Sequence, residues 1–143
     1  MRVVIQRVAE ASVTVNGHRI AEIGAGLLVL LGIAEGDGSE QADQLADKVL
    51  ALRVFEDEEG RMNEPLGDRE LLCVPQFTLY GDAAKGRRPS WINAARPEHA
   101  EPLVESVCNR LKELGAAVAT GRFRTDMQVE IVNDGPVTLM LEV

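Results

Sequence analysis

The dipeptide Asn16-Gly17, set between the alternating runs "ASVTV" and "HRIAEI", constrains this chain more than any other feature. A two-residue hairpin turn of the favoured type needs positive φ at both central positions, which Asn and Gly tolerate, so the flanks read as antiparallel strands. "RVVIQRV" alternates ahead of the hairpin, and "GLLVLLGIA" follows it as an apolar run of strand length. A chain that opens this way has to bury a sheet face under something else. Two segments qualify as cover. After Ser39, which is placed to cap a helix, Ala42, Leu45, Ala46, Val49 and Leu50 fall on one helical stripe. Leu103, Val104, Val107, Cys108, Leu111 and Leu114 form a second stripe, closed by Gly115 as a C-cap, with Pro97 and Pro102 both suited to its start.

The remaining segments add β-structure and loops. "RVFEDEEGRMNEPLGDRE" begins like a short strand and passes into turn residues, and "LLCVPQFTLY" reads as a buried strand carrying one proline. "GDAAKGRRPSWINAARPEHAEP" has no periodicity and reads as a long loop, a class that in compact domains is usually functional. "AAVATGRF", "DMQVEIVN" and "PVTLMLEV" supply the last strands, and the "NDGPVT" stretch between the final two is turn chemistry. Taken alone it favours a trans turn, since only about 5% of X-Pro bonds are cis. The expected fold is α/β: layered mixed β-sheets of about eight strands with two helices on one side, in a three-layer arrangement. Residues 1–143 fit one domain, and no GxGxxG or P-loop is present.

Charge narrows the function. The net charge is −8, which argues against a protein that coats nucleic acid nonspecifically. It is unevenly spread: nine acids lie between Glu35 and Glu59 against Lys48 and Arg53, whereas Lys85, Arg87, Arg88 and Arg96 follow one another without an acid. A basic spot on an acidic body suits a localised anionic ligand such as one end of an RNA, although a solvated basic loop accounts for it equally well. The longest apolar run, "LLVLLGIA", is too short to span a bilayer, and the first residues lack a secretory pattern, so a cytoplasmic protein is expected. Cys73 and Cys108 show neither metal nor disulfide spacing and read as small core residues.

Side-chain hydrolysis would need a nucleophile with an adjacent base, yet the two histidines lie at a hairpin tip (His18) and beside a helix start (His99). That leaves hydroxyls and backbone. Thr78 in "PQFTLY" sits where a buried strand enters the long loop, Gln76 can donate and accept, and backbone N–H groups there could stabilise an oxyanion. A structural threonine fits the same pattern.

In order along the chain, "IQRVAEASVTV", "IGAGLLVLLGI", "PQFTLY", "KGRRPSW" and "TGRFRTDMQVEIVNDGPVT" resemble the D-aminoacyl-tRNA deacylases, from Met1 to Val143. The resemblance implies a layered α/β homodimer with active sites at the subunit interface and no metal or cofactor. Its activity would be hydrolysis of the ester joining a D-amino acid, or mischarged glycine, to the 3′-terminal adenosine of tRNA. By match, Gln76, Phe77 and Thr78 fall on one signature, with Thr78 a positioning group rather than a covalent nucleophile. Gly135 and Pro136 fall on the other, a cis unit that enters the partner's pocket and rejects L-amino acids with main chain, braced by Arg7. Met127 joins the substrate-binding set, and Lys85, Arg87 and Arg88 the tRNA-binding set. One residue departs from the pattern: Pro75 stands where the family usually has Ser. A related deacylase group also carries Pro before Gln, with a trans Gly-Pro, and accepts some L-substrates. The alternatives are therefore a deacylase of relaxed chirality and a noncatalytic module that binds the tRNA acceptor end.

Overall fold

Asn16 and Gly17 take φ of 50° and 78°, joining β1 (Arg2–Val15) to an antiparallel β2 (His18–Ile23). "RVVIQRV" and "ASVTV", read as separate strands, are one strand of 14 residues. This computed structural model describes all residues 1–143. Three strands pair with β1. Along one edge β3 (Gly26–Gly32) lies against Arg2–Val8 and β2 against Ala11–Val15; along the other, β8 (Gln128–Glu142) runs antiparallel for almost the whole length. Beyond β3 come β6 (Glu70–Pro75) and β7 (Ala117–Thr120), both parallel to their neighbours. The sheet curls until β2 approaches β6 and β7, where the Gly24 N–H donates to Glu70 Oε2 at 2.8 Å and leaves the sheet nearly closed. A separate hairpin of β4 (Phe55–Glu56) and β5 (Met62–Glu64) completes the eight strands.

Curling gives the sheet two apolar cores. Leu27, Val29 and Leu31 of β3 and Leu71 and Cys73 of β6 face the helices, whereas Leu28, Leu72 and Val74 face the inside of the curl. Strands buried on both faces read as continuous apolar runs, which is why "GLLVLLG" and "LLCV" show no alternation. Helices α1 (Ser39–Ala51) and α2 (Pro97–Glu113) pack together on the outer core through Leu45, Val49, Val104, Val107 and Leu111. Cys73 and Cys108 are free, buried thiols at this seam. A hydrogen bond with Cys108, reinforced by burial, holds the Cys73 thiol well above its ordinary range.

Local capping differs from expectation at one helix and agrees at the other. Gly38, not Ser39, is the N-cap of α1, and its N–H donates to Gln41 Oε1 at 2.9 Å. Helix α2 starts with Pro97 in its first turn and tolerates Pro102 inside. It ends as expected at Gly115: the N–H groups of Gly115 and Ala116 return to the carbonyls of Lys112 and Leu111, satisfying acceptors that the helix leaves open.

"LLCVPQFTLY" is strand only as far as Pro75. Gln76 turns the chain (φ −146°, ψ 77°), and Phe77–Tyr80 form a 3-10 turn anchored by the buried Tyr80. "NDGPVT" is not a turn between two strands but a bulge inside the single strand β8. Gln6 faces Thr138 and Val8 faces Asn133, so Asp134, Gly135, Pro136 and Val137 all stand opposite Arg7. Gly135-Pro136 is cis, as the family resemblance implies and the residues alone do not.

Candidate active site

Strand parity explains where Arg7 points. Met1, Val3 and Ile5 face the helix-side core, and Arg7 continues that row as a cation only 6% exposed. A buried guanidinium needs acceptors. Its Nη1 donates to Val54 O at 2.7 Å, its Nε donates to Asp134 O at 3.0 Å, and Asp134 Oδ2 lies 3.4 Å from Nε. Arg7 thus ties the bulge of β8 to the segment leading into β4. Gly135 takes φ of +129°, where L-residues are strained; a Cβ there would meet Val137 Cγ2 at 2.9 Å and Arg7 Nη2 at 3.2 Å. Gly135 and Pro136 are exposed on the outside of this brace.

A cleft of about 630 Å³ lies elsewhere, at the C-terminal end of β6. Its floor is the apolar side of β3, β6 and α2, and its rim is built by Gln76, Phe77, Trp91, Arg124 and Met127. The end of a parallel strand is a usual place for a ligand, because the chain there leaves the sheet carrying unpaired polar groups. The Gln76 N–H is taken by Leu31 O at 2.7 Å, whereas those of Phe77 and Thr78 open the 3-10 turn and have no acceptor within it. Gln76 Nε2 donates to Thr78 Oγ1, orienting both exposed polar ends. Met127 is half-buried, and its Sδ accepts the Arg122 N–H at 3.4 Å.

Burial and the nearby Asp37 and Glu142 carboxylates push the Tyr80 phenol up to about 12, with Arg2 opposing them. Tyr80 is therefore a neutral, buried anchor of the 3-10 turn, with the Arg2 guanidinium over its ring. Neither histidine is held against a nucleophile: His18 Nδ1 pairs with Asn16 O and His99 Nε2 with Asp37 O. Lys85, Arg87 and Arg88 are exposed on the 81–96 loop and make no ion pair.

The residues singled out in the sequence thus form two groups. Gln76, Phe77 and Met127 share the cleft, with Thr78 bonded to Gln76; Arg7, Gly135 and Pro136 are not among its lining residues. Pro75 pairs with Leu31 on β3 and Arg7 with Leu27, four residues apart, or roughly 13 Å along the sheet. A family model described as D-Tyr-tRNA(Tyr) deacylase matches residues 4–142. The chain belongs to that family.

It is accordingly an enzyme, a hydrolase. A D-aminoacyl-tRNA deacylase of Symbiobacterium thermophilum is 54% identical over 144 residues, covering 99% of this chain and 95% of that protein. Among solved structures, one titled c-Myc DNA unwinding element binding protein is 42% identical with a TM-score of 0.95, covering 100% of this chain and 99% of that one. A second, titled as a probable eukaryotic D-amino acid tRNA deacylase, shares the fold at 18% identity and a TM-score of 0.83, covering 99% and 98%. Trp91 is an aromatic residue of the cleft rim that the sequence did not single out. It stood inside the quoted motif "KGRRPSW", and being the one tryptophan of the chain, in a loop, was the available signal.

Proposed function

We propose that this protein hydrolyses the ester between a D-amino acid, or mischarged glycine, and the 3′-terminal adenosine of tRNA, working as a homodimer in the cytoplasm. The observation that carries the reading is the pair of incomplete half-sites. The cleft at Gln76 and Phe77 is not lined by Gly135 or Pro136, and the braced bulge that carries those two residues is exposed on the outside of β8. In a pair of protomers, the bulge of each enters the cleft of the other.

The chemistry follows from what the cleft contains. An aminoacyl ester is already labile, and the ribose 2′-hydroxyl next to it can assist the attack of water. As water adds to the carbonyl, the Phe77 and Thr78 N–H groups stabilise the developing oxyanion, and the 3′-oxygen leaves with a proton. Thr78 and Gln76 position the substrate through their mutual hydrogen bond. Gly135 brings main chain close to the α-carbon, leaving room for hydrogen but not for an L side chain. Lys85, Arg87 and Arg88 meet the tRNA phosphates.

The test is direct. Offered D-Tyr-tRNA, L-Tyr-tRNA and Gly-tRNA at equal concentration, the protein should strip the D-ester and the glycyl ester and spare the L-ester. Equal loss of D- and L-esters would overturn the filter and favour the relaxed-chirality alternative, which Pro75 keeps in view. Binding of tRNA with an undiminished ester lifetime would leave only a noncatalytic module. Light scattering should give a particle twice the 15.5 kDa protomer.

A further inference from the structure

Phe77 and Trp91 at the cleft mouth are unusually open for large apolar side chains, at 56% and 41% exposure. Their rings meet edge to face, with centroids 5.3 Å apart and planes at 70°, a favoured aromatic arrangement. The indole also lies against Gly81. A Cβ at that position would come within 2.5 Å of Trp91 Cζ3, 3.0 Å of Thr78 O and 3.2 Å of Trp91 Cε3. Gly81 itself has φ −67° and ψ 123°, a conformation open to any L-residue, so its backbone does not ask for glycine. The indole does.

The loop between these two residues is closed at its neck. Asp82 and Ser90 exchange two N–H to carbonyl hydrogen bonds of 2.8 Å each, and Asp82 Oδ1 accepts the Ala84 N–H at 2.8 Å. Beyond that neck stand Lys85, Arg87 and Arg88; at its base stands Trp91. One short clamped segment therefore joins the basic tip to the aromatic rim.

We infer that Trp91 is a positioning residue: seated on Gly81, it holds the Phe77 ring in place as the outer wall of the cleft and sets how tightly the aminoacyl end of the substrate is bound. This deepens the deacylase reading and rests on it. An aromatic wall held in one position costs less to order on binding than a free one, so the effect falls on binding rather than on the chemical step. Phe77 is more than half exposed, and Trp91 is its aromatic partner.

A double-mutant cycle on D-Tyr-tRNA tests the inference. Trp91→Ala should raise KM by about 3- to 10-fold, the range of an edge-to-face pair, with kcat changed by less than about twofold. Trp91→Phe should restore most of the loss. Gly81→Ala should mimic Trp91→Ala, because its methyl group displaces the indole, and the double variant should be no worse than Trp91→Ala alone. Trp91 is 41% exposed, so Trp91→Ala should lower the melting temperature by no more than about 5 °C and leave the protein folded under assay conditions. Additive effects of the two substitutions would overturn the inference, as would a kinetically silent Trp91→Ala. A wild-type protein that leaves D-Tyr-tRNA intact would overturn the deacylase reading, and the inference with it.

Discussion

Replacing Arg7 offers the sharpest check on how the bulge is held. Arg7→Met keeps most of the apolar stem and removes the guanidinium, which is 6% exposed and donates to Val54 O and Asp134 O. A hydrogen bond from a charged donor contributes about 1.5–3 kcal/mol, and the buried Val54 carbonyl is left without its partner. Removing the cation also removes the cost of keeping it out of water. The net loss expected is about 2–4 kcal/mol, or about 6–12 °C in a chain of this size. An ammonium reaches only one of the two carbonyls, so Arg7→Lys should lose about half as much. Asp134→Asn keeps the main-chain acceptor and forfeits only an ion pair whose carboxylate is 58% exposed. It should cost no more than about 0.5 kcal/mol. Urea unfolding at one protein concentration measures all three, and the slope with urea should stay constant. An Arg7→Met protein within about 0.5 kcal/mol of wild type, or an Asp134→Asn protein as unstable as Arg7→Met, would show that the guanidinium does not hold the bulge.

Gly135→Ala should cost about 1–3 kcal/mol, because φ of +129° and contacts at 2.9 and 3.0 Å oppose the new methyl group. Its turnover of D-Tyr-tRNA should fall with it, and unchanged turnover would remove Gly135 from the site. Thr78→Ala should keep measurable activity, within about 100-fold of wild type, since positioned backbone and the substrate's own hydroxyl carry the reaction; a trapped acyl-enzyme would refute this. Tyr80 is the one tyrosine, so absorbance at alkaline pH reports it alone, with an expected midpoint of about 12 against the ordinary 10.0. Between those values the unfolded chain ionises and the folded one does not, so stability falls as pH rises through that window. Tyr80→Phe should flatten that fall.

What was legible in the sequence was local. Asn16-Gly17 specified its hairpin because the turn needs only those two residues, and both helix stripes showed through because burial repeats every three or four positions. The strand boundary at Pro75 was hidden by the apolar Phe77, Leu79 and Tyr80, whose 3-10 turn has no periodic signal of its own. The segments on either side of Ala9-Glu10 and of "NDGPVT" could not be recognised as single strands, because each bulge exists only relative to the strand beside it. Gln76, Phe77 and Met127 were reachable through motif resemblance; Trp91 also stood in a motif, but its place in the rim needed the contacts with Phe77 and Gly81 to be seen. Nothing local distinguishes Arg7 from any strand cation; only its shared parity with Val3 and Ile5 marks it as buried.

Strand β8 pairs with β1 and with no other strand of the chain, so one side of its 15 residues offers open backbone groups. A straight edge of that length is a template for unwanted strand addition and fibre growth. The four residues that stand opposite Arg7 break its spacing midway, and Asp134 and the donor-free Pro136 lie inside the break. No extended segment can zip along the whole edge. The same kink that offers Gly135 outward therefore also acts as a guard against aggregation.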